Sequence, residues 1–317
     1  MARIVSKYYL LGVGVLLGVI YGVVTRIVWG QNTALATLTY LFLIPTVLGI
    51  IPLIFSSEAQ VRSYLFCIFI PWLTLLSALL TLVLVHLEGF ICLAILGAPF
   101  FFLGTVGALV YRLIRIHLDK KQNILPSIAL MVIPALIAPI EGVISSPSEI
   151  YSVSSEVVIN APADRVWDNI IRVPRIGDDE YRPGVFNYLG VPRPIEAELL
   201  GEGTGALRKG HFEGGLLFVE HIHDWAFGRR VSFDIEVDPD TIADRVFDQH
   251  VLKGNYFRFV DAAYEIEPVS ATQVKLRLTS RYRLTSKVNF YGRFWGDTFL
   301  SDFQDRLLEV IKKRTDQ

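Results

Sequence analysis

The chain has 317 residues, of which 52% are hydrophobic and only 19% charged, and its net charge is −1. Soluble globular domains carry about 25% charged residues, so this composition excludes a wholly water-soluble protein and favours one that is partly solvated by lipid. The near-neutral charge argues against a nucleic-acid-binding protein, because such proteins carry a strongly basic domain.

The charged residues divide the chain into two parts. Thirteen of the first 150 residues are charged, against 48 of the last 167. We therefore predict that residues 1–146 form a transmembrane helical domain, 147–155 a polar linker, and 156–317 a water-soluble domain. Both cysteines, Cys67 and Cys92, precede the soluble domain, which holds neither a disulfide nor a cysteine-based metal site.

Five apolar stretches in the first part are each long enough to cross about 30 Å of hydrocarbon, which takes about 20 helical residues. They predict five transmembrane helices near Tyr8–Val28, Ala34–Phe55, Tyr64–Leu87, Phe90–Ile114 and Ile124–Ile144. The fifth is the weakest, since it contains three prolines and Glu141. If it does not span, the soluble domain lies on the other side of the membrane.

The distribution of basic residues predicts the orientation, because lysine and arginine concentrate on the cytoplasmic side of membrane proteins. With the N-terminus inside, only Arg26 lies outside, and seven basic residues lie inside: Arg3, Lys7, Arg62, Arg112, Arg115, Lys120 and Lys121. Five spans then place the C-terminal domain on the opposite face, which is periplasmic in a bacterial inner membrane. The first stretch has no small-x-small cleavage site, so we interpret it as a retained anchor.

The second part shows strand and helix patterns in a defined order. A short strand, Glu156–Ile159, precedes a short amphipathic helix, and a Pro/Gly-rich segment, 172–194, is expected to be a functional flap. Period-two segments then predict strands, with a two-residue hairpin turn at Gly214-Gly215, and the chain ends in a long helix, Asn289–Arg314. This order predicts an α+β architecture in which a curved antiparallel sheet packs on the last helix.

Three segments carry a resemblance to a known family: VVINAPADRVWDNI at 157–170, GVPRPIEAELLGEGTGALRKGHFEGGLLFVEHIHDW at 190–225 and YRLTSKVNFYGRFWGDTFLSDFQDRLLEVIKKR at 282–314. Through them, residues 153–314 resemble the START-like (SRPBCC) superfamily, the polyketide cyclase/dehydrase and lipid-transport group. The resemblance implies a helix-grip fold with an elongated cavity between the sheet and the C-terminal helix. It does not extend to the membrane part, and the fold hosts binding, transport and several enzyme activities.

The implied cavity makes aromatic residues and glycines of the sheet and the last helix the ligand-binding candidates: Phe212, Phe218, Trp225, Tyr282, Gly292, Trp295, Gly296 and Phe299. Two glycines four residues apart in a helix cost about 1 kcal/mol each relative to alanine. They either leave space for a ligand or let the sheet approach the helix, and the sequence leaves both interpretations open.

Polar residues on the apolar strands are the catalytic candidates: His211, Glu213, Glu220, His221 and His223. With a two-residue turn, His211 and Glu213 face one way, and His221 and His223 face the other. A slip of one residue gathers the three histidines on one face. Cross-strand hydrogen bonding or solvent exposure is the favoured interpretation of these residues. Polar lining of the cavity is the main alternative, and a metal site that uses the two imidazoles of His221 and His223 is a weaker one, so we predict no metal. The sequence contains no nucleophile motif and no phosphate-binding loop, and it predicts no cofactor.

The sequence therefore predicts a membrane-anchored protein that binds or transfers a hydrophobic, lipid-like ligand, with the bilayer and that ligand as its partners. We favour this binding function over an enzyme, but two alternatives remain. One is a cyclase-, dehydratase- or hydrolase-type enzyme acting on a hydrophobic substrate in the same cavity, and it requires a catalytic candidate that points inward. The other is an interaction or sensory membrane protein whose vestigial cavity is filled by its own aromatic side chains.

Overall fold

The structure, a computed structural model, describes residues 2–29, 37–117, 124–242 and 251–316, and it describes side chains over 9–28, 37–117, 129–242 and 251–316. The chain divides into two compact units, Met1–Ser146 and Pro147–Gln317. We call them the helical unit and the sheet unit, and each is described by itself.

Within the described residues, the helical unit contains six α-helices: α1 (Ala2–Trp29), α2 (Ile44–Ile54), α3 (Glu58–Arg62), α4 (Tyr64–Leu84), α5 (Phe90–His117) and α6 (Ile124–Val143). A π-helical turn, Thr39–Leu43, leads directly into α2. Three of the described helices are long and apolar enough to cross a membrane, over Tyr9–Val28, Tyr64–Leu84 and Phe90–His117. Over the described residues, the predicted count of about five such helices is therefore corrected to three.

The apolar helix found in the second predicted span, Thr39–Ile54, is shorter than a membrane span, which takes about 20 residues. In the fifth region, α6 has 20 residues, but its side chains are described only from Ala129 onward, and the apolar segment described there is Ala129–Val143. Ala34 of the second predicted span lies outside the described residues, as do Lys120 and Lys121, which contributed to the predicted orientation.

Polar contacts group the helix ends of the helical unit into two sets. In the first set, Arg26 near the end of α1 forms a buried ion pair with Glu88, in the turn between α4 and α5. The carboxylate of Glu141, near the end of α6, accepts hydrogen bonds from the backbone N–H groups of Leu38 (2.6 Å) and Thr39 (2.9 Å). These N–H groups belong to the start of a helix and have no partner within it, so Glu141 caps a neighbouring segment.

The second set of helix ends is basic. Arg115, near the end of α5, donates hydrogen bonds to the carbonyl oxygens of Leu53 (2.7 Å) and Ser56 (2.8 Å), at and just beyond the end of α2. Arg112 donates to the carbonyl oxygen of Arg62 (3.1 Å), where α3 ends. The ends of α2, α3 and α5 therefore lie together, apart from those that hold Glu88 and Glu141.

The sheet unit contains β1 (Ser148–Ile159), α7 (Ala163–Ile171), α8 (Val185–Tyr188), β2 (Pro194–Leu200), β3 (Leu207–Phe212), β4 (Leu217–Ala226), β5 (Arg230–Val237), β6 (Phe257–Ser270), β7 (Gln273–Thr285) and α9 (Asn289–Thr315). Neighbouring strands are antiparallel, in the order β1-β7-β6-β5-β4-β3-β2. The predicted α+β architecture is confirmed, and the antiparallel sheet with its long C-terminal helix fits a helix-grip fold.

The segment predicted as a linker, 147–155, mostly belongs to β1. Ser148 pairs with Thr285, and the pairing continues in register as far as Ile159 opposite Val274. Its many serines are typical of a linker, but β1 is an edge strand whose outer face meets solvent, so polar residues fit it at alternate positions.

The main core of the sheet unit lies between the sheet and helices α7 and α9. Its largest cluster contains Trp167 of α7, Tyr264 and Leu276 of the sheet, and Leu308 and Ile311 of α9. Burying a large apolar side chain contributes about 1.5–3 kcal/mol, so this cluster holds the C-terminal half of α9 against the sheet.

An ion pair between the flap segment and α9 gives a first testable prediction. The Glu180 carboxylate accepts hydrogen bonds from Arg314 Nε (2.7 Å) and Nη2 (2.8 Å) and from the backbone N–H of Gly177 (2.7 Å). The Arg314 hydrogen bonds are the largest cause that lowers the pKa of Glu180 from its ordinary 4.5 to about 2. A carboxyl group whose pKa is lowered in the folded state stabilises the fold at pH values above its ordinary pKa. This contribution is lost as the pH falls through the folded-state pKa.

We expect Glu180→Gln to lower the free energy of unfolding at neutral pH by about 2 kcal/mol, the range for hydrogen bonds to a charged group. The difference from the unsubstituted chain should shrink as the pH is lowered from about 5 to about 2, because the carboxylate is then protonated. Urea denaturation of the full chain in detergent, followed by tryptophan fluorescence, measures it. Asp168→Asn, at an exposed carboxylate on α7, is the control, and a pH-independent difference would contradict the assignment.

Candidate functional site

Four phenylalanines on the face of the sheet that looks toward α9 and one phenylalanine of α9 itself form a group that we call the aromatic cluster: Phe212, Phe218, Phe257, Phe259 and Phe303. The ring centroids of Phe212 and Phe218 are 4.5 Å apart, and those of Phe218 and Phe259 are 5.1 Å apart. The centroid of Phe303, from α9, lies 6.1 Å from that of Phe212. The cluster therefore connects β3, β4 and β6 with the C-terminal helix.

Two members of the cluster are buried, but three are not fully covered although they face the interior. Phe218 and Phe257 are each 8% exposed, whereas Phe212, Phe259 and Phe303 are only half-buried. Protein interiors are close-packed, so inward-facing rings with uncovered surface mark an opening in the packing. This side of the sheet unit is less tightly closed than the side that holds Trp167.

A buried ion pair lies on the same face of the sheet, next to the aromatic cluster. Arg208 of β3 and Glu220 of β4 are cross-strand partners, and their side chains form a hydrogen-bonded ion pair. They are 4% and 6% exposed. Arg208 also donates to the carbonyl oxygens of Ile171 (3.1 Å) and Ile170 (3.3 Å). These carbonyls end α7 and have no partner within it, so Arg208 also caps that helix.

Burial and charge act in opposite directions on the Glu220 carboxyl. Removal from water disfavours the carboxylate and raises the pKa of Glu220, while the neighbouring Arg208 lowers it, and burial is the larger effect. The pair is therefore a polar group inside an apolar interior, where each charge is compensated by that of its partner.

Gly210 separates the ion pair from the aromatic cluster along β3. A Cβ at this position would lie 3.3 Å from Glu220 Oε1 and 3.5 Å from the Phe212 ring. Because glycine has no side chain, the carboxylate oxygen and the ring both lie over its backbone. Within the described residues, Oε1 accepts no hydrogen bond, since the Arg208 contact is made to Oε2.

An open pocket of about 670 Å³ lies at the rim of this region, lined by Gly214, Gly215, Pro239, Asp240, Thr241, Ile242 and Lys253. Ile242 also packs in one apolar cluster with Phe218. The pocket is within the 300–1,000 Å³ range of ligand sites. It is located at strand ends beside the β3–β4 turn, whereas the resemblance implies a cavity between the sheet and the helix.

One of the five catalytic candidates faces the interior, and this is Glu220. The others lie on the outer face or in the β3–β4 turn, and each has a surface partner. His211 is 4.0 Å from Glu198, and His221 is 4.0 Å from Glu236. His223 lies 3.6 Å from Asp234, and Glu213 is 3.3 Å from Arg193. Among the described residues, no three ligating side chains are grouped for a metal ion.

The predicted strand register at this hairpin is wrong by one residue. The turn contains three residues, Glu213–Gly215, so His211 lies opposite Leu217 rather than opposite Phe218. Gly214 and Gly215 have φ values of 78° and 86°, a left-handed conformation that glycine adopts without strain. The slip puts the three histidines on one outer face, but each has a different carboxylate as its neighbour.

The ligand-binding candidates are distributed over more than one region. Phe212 and Phe218 belong to the aromatic cluster. Trp225 instead packs edge-on against Trp167, at a centroid distance of 5.1 Å, in the main core. Phe299 contacts Phe186 of α8 at 5.6 Å. Trp295 is half-buried on the N-terminal half of α9.

Tyr282, Gly292 and Gly296 form the closest approach of α9 to the sheet. A Cβ at Gly296 would lie 2.8 Å from Cε2, Cζ and the hydroxyl oxygen of Tyr282, and one at Gly292 would lie 3.1 Å from Leu284 Cδ1. Tyr282 is fully buried, and its hydroxyl donates to Asp297 Oδ1 at 2.6 Å. Of the two interpretations of the glycine pair, this geometry favours close helix–sheet packing.

Sequence reasoning missed Arg208, Gly210 and Gln304. Gln304 of α9 is fully buried, and its Nε2 donates to Ser280 Oγ at 2.9 Å. A signal was available in the sequence: Arg208, Gly210 and the inward-facing Phe212 lie two residues apart along one strand, so they share one face of it. An arginine in such a strand is ordinarily read as solvent-exposed, because arginine is almost never fully buried unless it is paired.

Comparison with known proteins gives likenesses to solved structures only. No protein-family model matches this chain, and no curated protein matches it. A protein from Thermus thermophilus is 20% identical with a TM-score of 0.34, and the match covers 52% of this chain and 97% of that chain. The ZhuI aromatase/cyclase from a Streptomyces species is 16% identical with a TM-score of 0.32, covering 52% and 93%.

Norcoclaurine synthase from Thalictrum flavum, solved with dopamine and hydroxybenzaldehyde, is 14% identical with a TM-score of 0.32, and the match covers 52% of this chain and 86% of that chain. Each of these structures therefore matches about half of the chain. At such identities and TM-scores, the likeness assigns neither an activity nor a ligand to this protein.

Proposed function

We propose that this protein binds a hydrophobic, lipid-like ligand between its sheet and its C-terminal helix, beside a membrane in which the helical unit is embedded. The observation that carries the proposal is the inward-facing but half-buried state of Phe212, Phe259 and Phe303. Covering apolar surface of this kind is favourable by about 25 cal/mol per Å² removed from water. The apolar part of a bound ligand would cover the exposed surface of these rings.

The buried ion pair supports a ligand with one polar end. Ligand pockets are lined mainly by apolar and aromatic side chains, with a few polar groups that orient the ligand. Glu220 Oε1 lies beside Gly210 at the edge of the aromatic cluster and has no donor among the described residues. A hydroxyl or protonated carboxyl at the end of an apolar chain would donate to this oxygen.

We further propose that the helical unit anchors the protein in lipid. Its long helices expose large apolar side chains, among them Leu65 at 66%, Phe69 at 58% and Phe102 at 68%. Surfaces of this kind need lipid or another apolar partner to cover them.

The two sets of helix ends support the proposed orientation. The end that holds Arg62, Arg112 and Arg115 would be cytoplasmic. Glu141, near the end of α6, belongs to the opposite set. We therefore propose that α2 and α6 also carry the chain from one face to the other, although they are not among the three membrane-length helices of the described residues. The sheet unit then follows from the face opposite the basic helix ends, which is periplasmic in a bacterial inner membrane.

Photo-crosslinking tests the ligand site on the full chain in lipid nanodiscs. The probe is a long-chain fatty acid with a diazirine on its chain, and cross-linked residues are identified by mass spectrometry after proteolysis. We expect cross-links on inward positions of β3, β4, β6 and α9, and competition by excess unlabelled fatty acid. Phe259→Gln should reduce them about fivefold or more, because it removes apolar contact and adds a polar group to the site.

Phe227→Gln is the matched control, since Phe227 is 66% exposed at the β4–β5 turn, and it should leave the cross-links unchanged. Cross-links confined to the helical unit, or cross-links in the sheet unit that unlabelled fatty acid does not compete, would contradict the proposal. Equal loss in both variants would also contradict it.

A second candidate function, an enzyme acting on a hydrophobic substrate in the same place, depends on Glu220. This residue is the catalytic candidate that faces inward, and burial raises its pKa, as a general acid requires. Glu220→Gln separates the two functions, because it keeps the shape of the side chain but exchanges no proton. Retained cross-linking together with lost conversion of the bound molecule would favour the enzyme.

A further inference from the structure

The start of α9 exposes an aromatic pair that the core of the sheet unit does not use. Phe290 and Phe294 are 64% and 60% exposed and lie four residues apart on one face of the helix. Arg293 lies between them with its side chain 58% exposed, and it forms an ion pair with Asp297 at 3.2 Å. Large exposed aromatic side chains on one face of a helix are typical of the membrane–water interface.

The same end of α9 is fixed beside the point where the chain enters the sheet unit. Asn289 Nδ2 donates to the carbonyl oxygen of Pro147 at 3.0 Å. Its Oδ1 accepts hydrogen bonds from the backbone N–H (2.9 Å) and the hydroxyl (2.8 Å) of Ser286. Asn289 is only 6% exposed, and Ser148 pairs with Thr285 immediately beside it. The first turn of α9 therefore cannot move far from Pro147.

The apolar surface of the helical unit ends three residues before Pro147. Val143 and Ile144 are 88% and 60% exposed. Three extended residues span about 10 Å at most. Whatever the orientation of the two units, Pro147 stays within that reach of side chains that need lipid cover, and the first turn of α9 stays with it.

We infer that Phe290 and Phe294 dock the sheet unit on the interfacial region of the lipid bilayer. The inference rests on the proposed function, because it requires a helical unit that is embedded in lipid. It goes further by naming the surface of the sheet unit that contacts this lipid. Phe303, the member of the aromatic cluster that α9 contributes, follows on the same helix, so this docking also brings the α9 side of the proposed ligand site toward the source of a hydrophobic ligand.

Spin-label accessibility tests the docking on the full chain in nanodiscs of phosphatidylcholine and phosphatidylglycerol. A nitroxide is attached at Phe290→Cys or at Phe294→Cys, and its collision rates with oxygen, which concentrates in lipid, and with a water-soluble nickel chelate are compared. Phe227→Cys is the matched control, because Phe227 is 66% exposed and belongs to the opposite end of the strands. The unsubstituted chain, whose Cys67 and Cys92 are buried, is the labelling blank.

We expect the ratio of oxygen to nickel collisions to be about threefold or more higher at the two α9 positions than at Phe227, as for interfacial side chains. Equal ratios would overturn the docking and leave the proposed function standing. A label shielded from both reagents would show that protein covers the pair, which overturns it as well. An alkaline carbonate wash tests the premise separately, since release of the chain into the supernatant contradicts membrane anchoring itself.

Discussion

Arg208→Met should lower the free energy of unfolding of the sheet unit by about 3–5 kcal/mol, because it leaves the buried Glu220 without its charge partner. Both side chains are less than a tenth exposed, so water does not take the place of the guanidinium. The same substitution removes the donors to the carbonyl oxygens of Ile170 and Ile171 at the end of α7. Urea denaturation of the full chain in detergent, followed by tryptophan fluorescence, measures the loss.

Replacing both members of the pair should cost much less than replacing Arg208 alone. A buried ion pair contributes little over apolar side chains of similar volume, whereas a single buried charge is expensive. We therefore expect Arg208→Met/Glu220→Met to recover about half or more of the stability lost in the single variant, which a double-mutant cycle quantifies. Simple addition of the two single effects would contradict the contact between the side chains.

The single variant Arg208→Met should also become pH-dependent. Burial already raises the pKa of Glu220 with Arg208 in place, and removal of Arg208 raises it further. A group with a raised pKa in the folded state contributes its stability below its unfolded-state pKa and loses it as the pH rises through the folded-state pKa. The loss should therefore be smallest near about pH 4 and largest near about pH 8, and an equal loss at both would contradict a buried, unpaired carboxyl.

Gly296→Ala should destabilise the sheet unit by about 1–3 kcal/mol, the usual cost of overpacking, although alanine favours a helix by about 1 kcal/mol relative to glycine. The added Cβ would lie 2.8 Å from the Tyr282 ring. That ring is stacked on Phe257 at a centroid distance of 5.4 Å, and its hydroxyl is bound to Asp297, so it has no direction in which to move. The measurement is the same urea denaturation.

Gly292→Ala is the matched control on the same helix. Its Cβ would meet Leu284 Cδ1 at 3.1 Å, the end of a flexible side chain that shifts at low cost. We expect a change within about 0.5 kcal/mol, because helix propensity offsets the crowding. A Gly296→Ala variant as stable as this control would show that the tyrosine has room, and it would return the glycine pair to the interpretation of space left for a ligand.

Element order was predictable along most of the chain because hydrophobic periodicity reports local burial. The last helix was predicted over Asn289–Arg314 and is found over Asn289–Thr315. The composition of 147–155 indicated a linker because serine is common in linkers, and what places Ser148–Ser155 in β1 is the pairing with β7, a long-range contact. The predicted number of membrane-length helices was wrong for a related reason. An apolar run in the sequence indicates solvation by lipid, but it does not indicate where the helix begins and ends.

The candidate site was harder to predict because it depends on strand register. Glu220 was singled out as polar on an apolar strand, but its partner Arg208 was not, since the two face each other only through cross-strand pairing. The left-handed pair Gly214-Gly215 lengthened the turn to three residues, and a shift of one residue moves each side chain to the other face. The positions of the histidines changed with it.

By itself, the sequence determined that an apolar helical part precedes a charged α+β part, because the composition of each part indicates whether lipid or water solvates it. Only the tertiary structure decided which polar side chains share the interior and which aromatic rings stay partly uncovered there. It also decided that the exposed pair at the start of α9 lies beside the entry of the chain. These depend on contacts between residues far apart in sequence, whose geometry local periodicity does not contain.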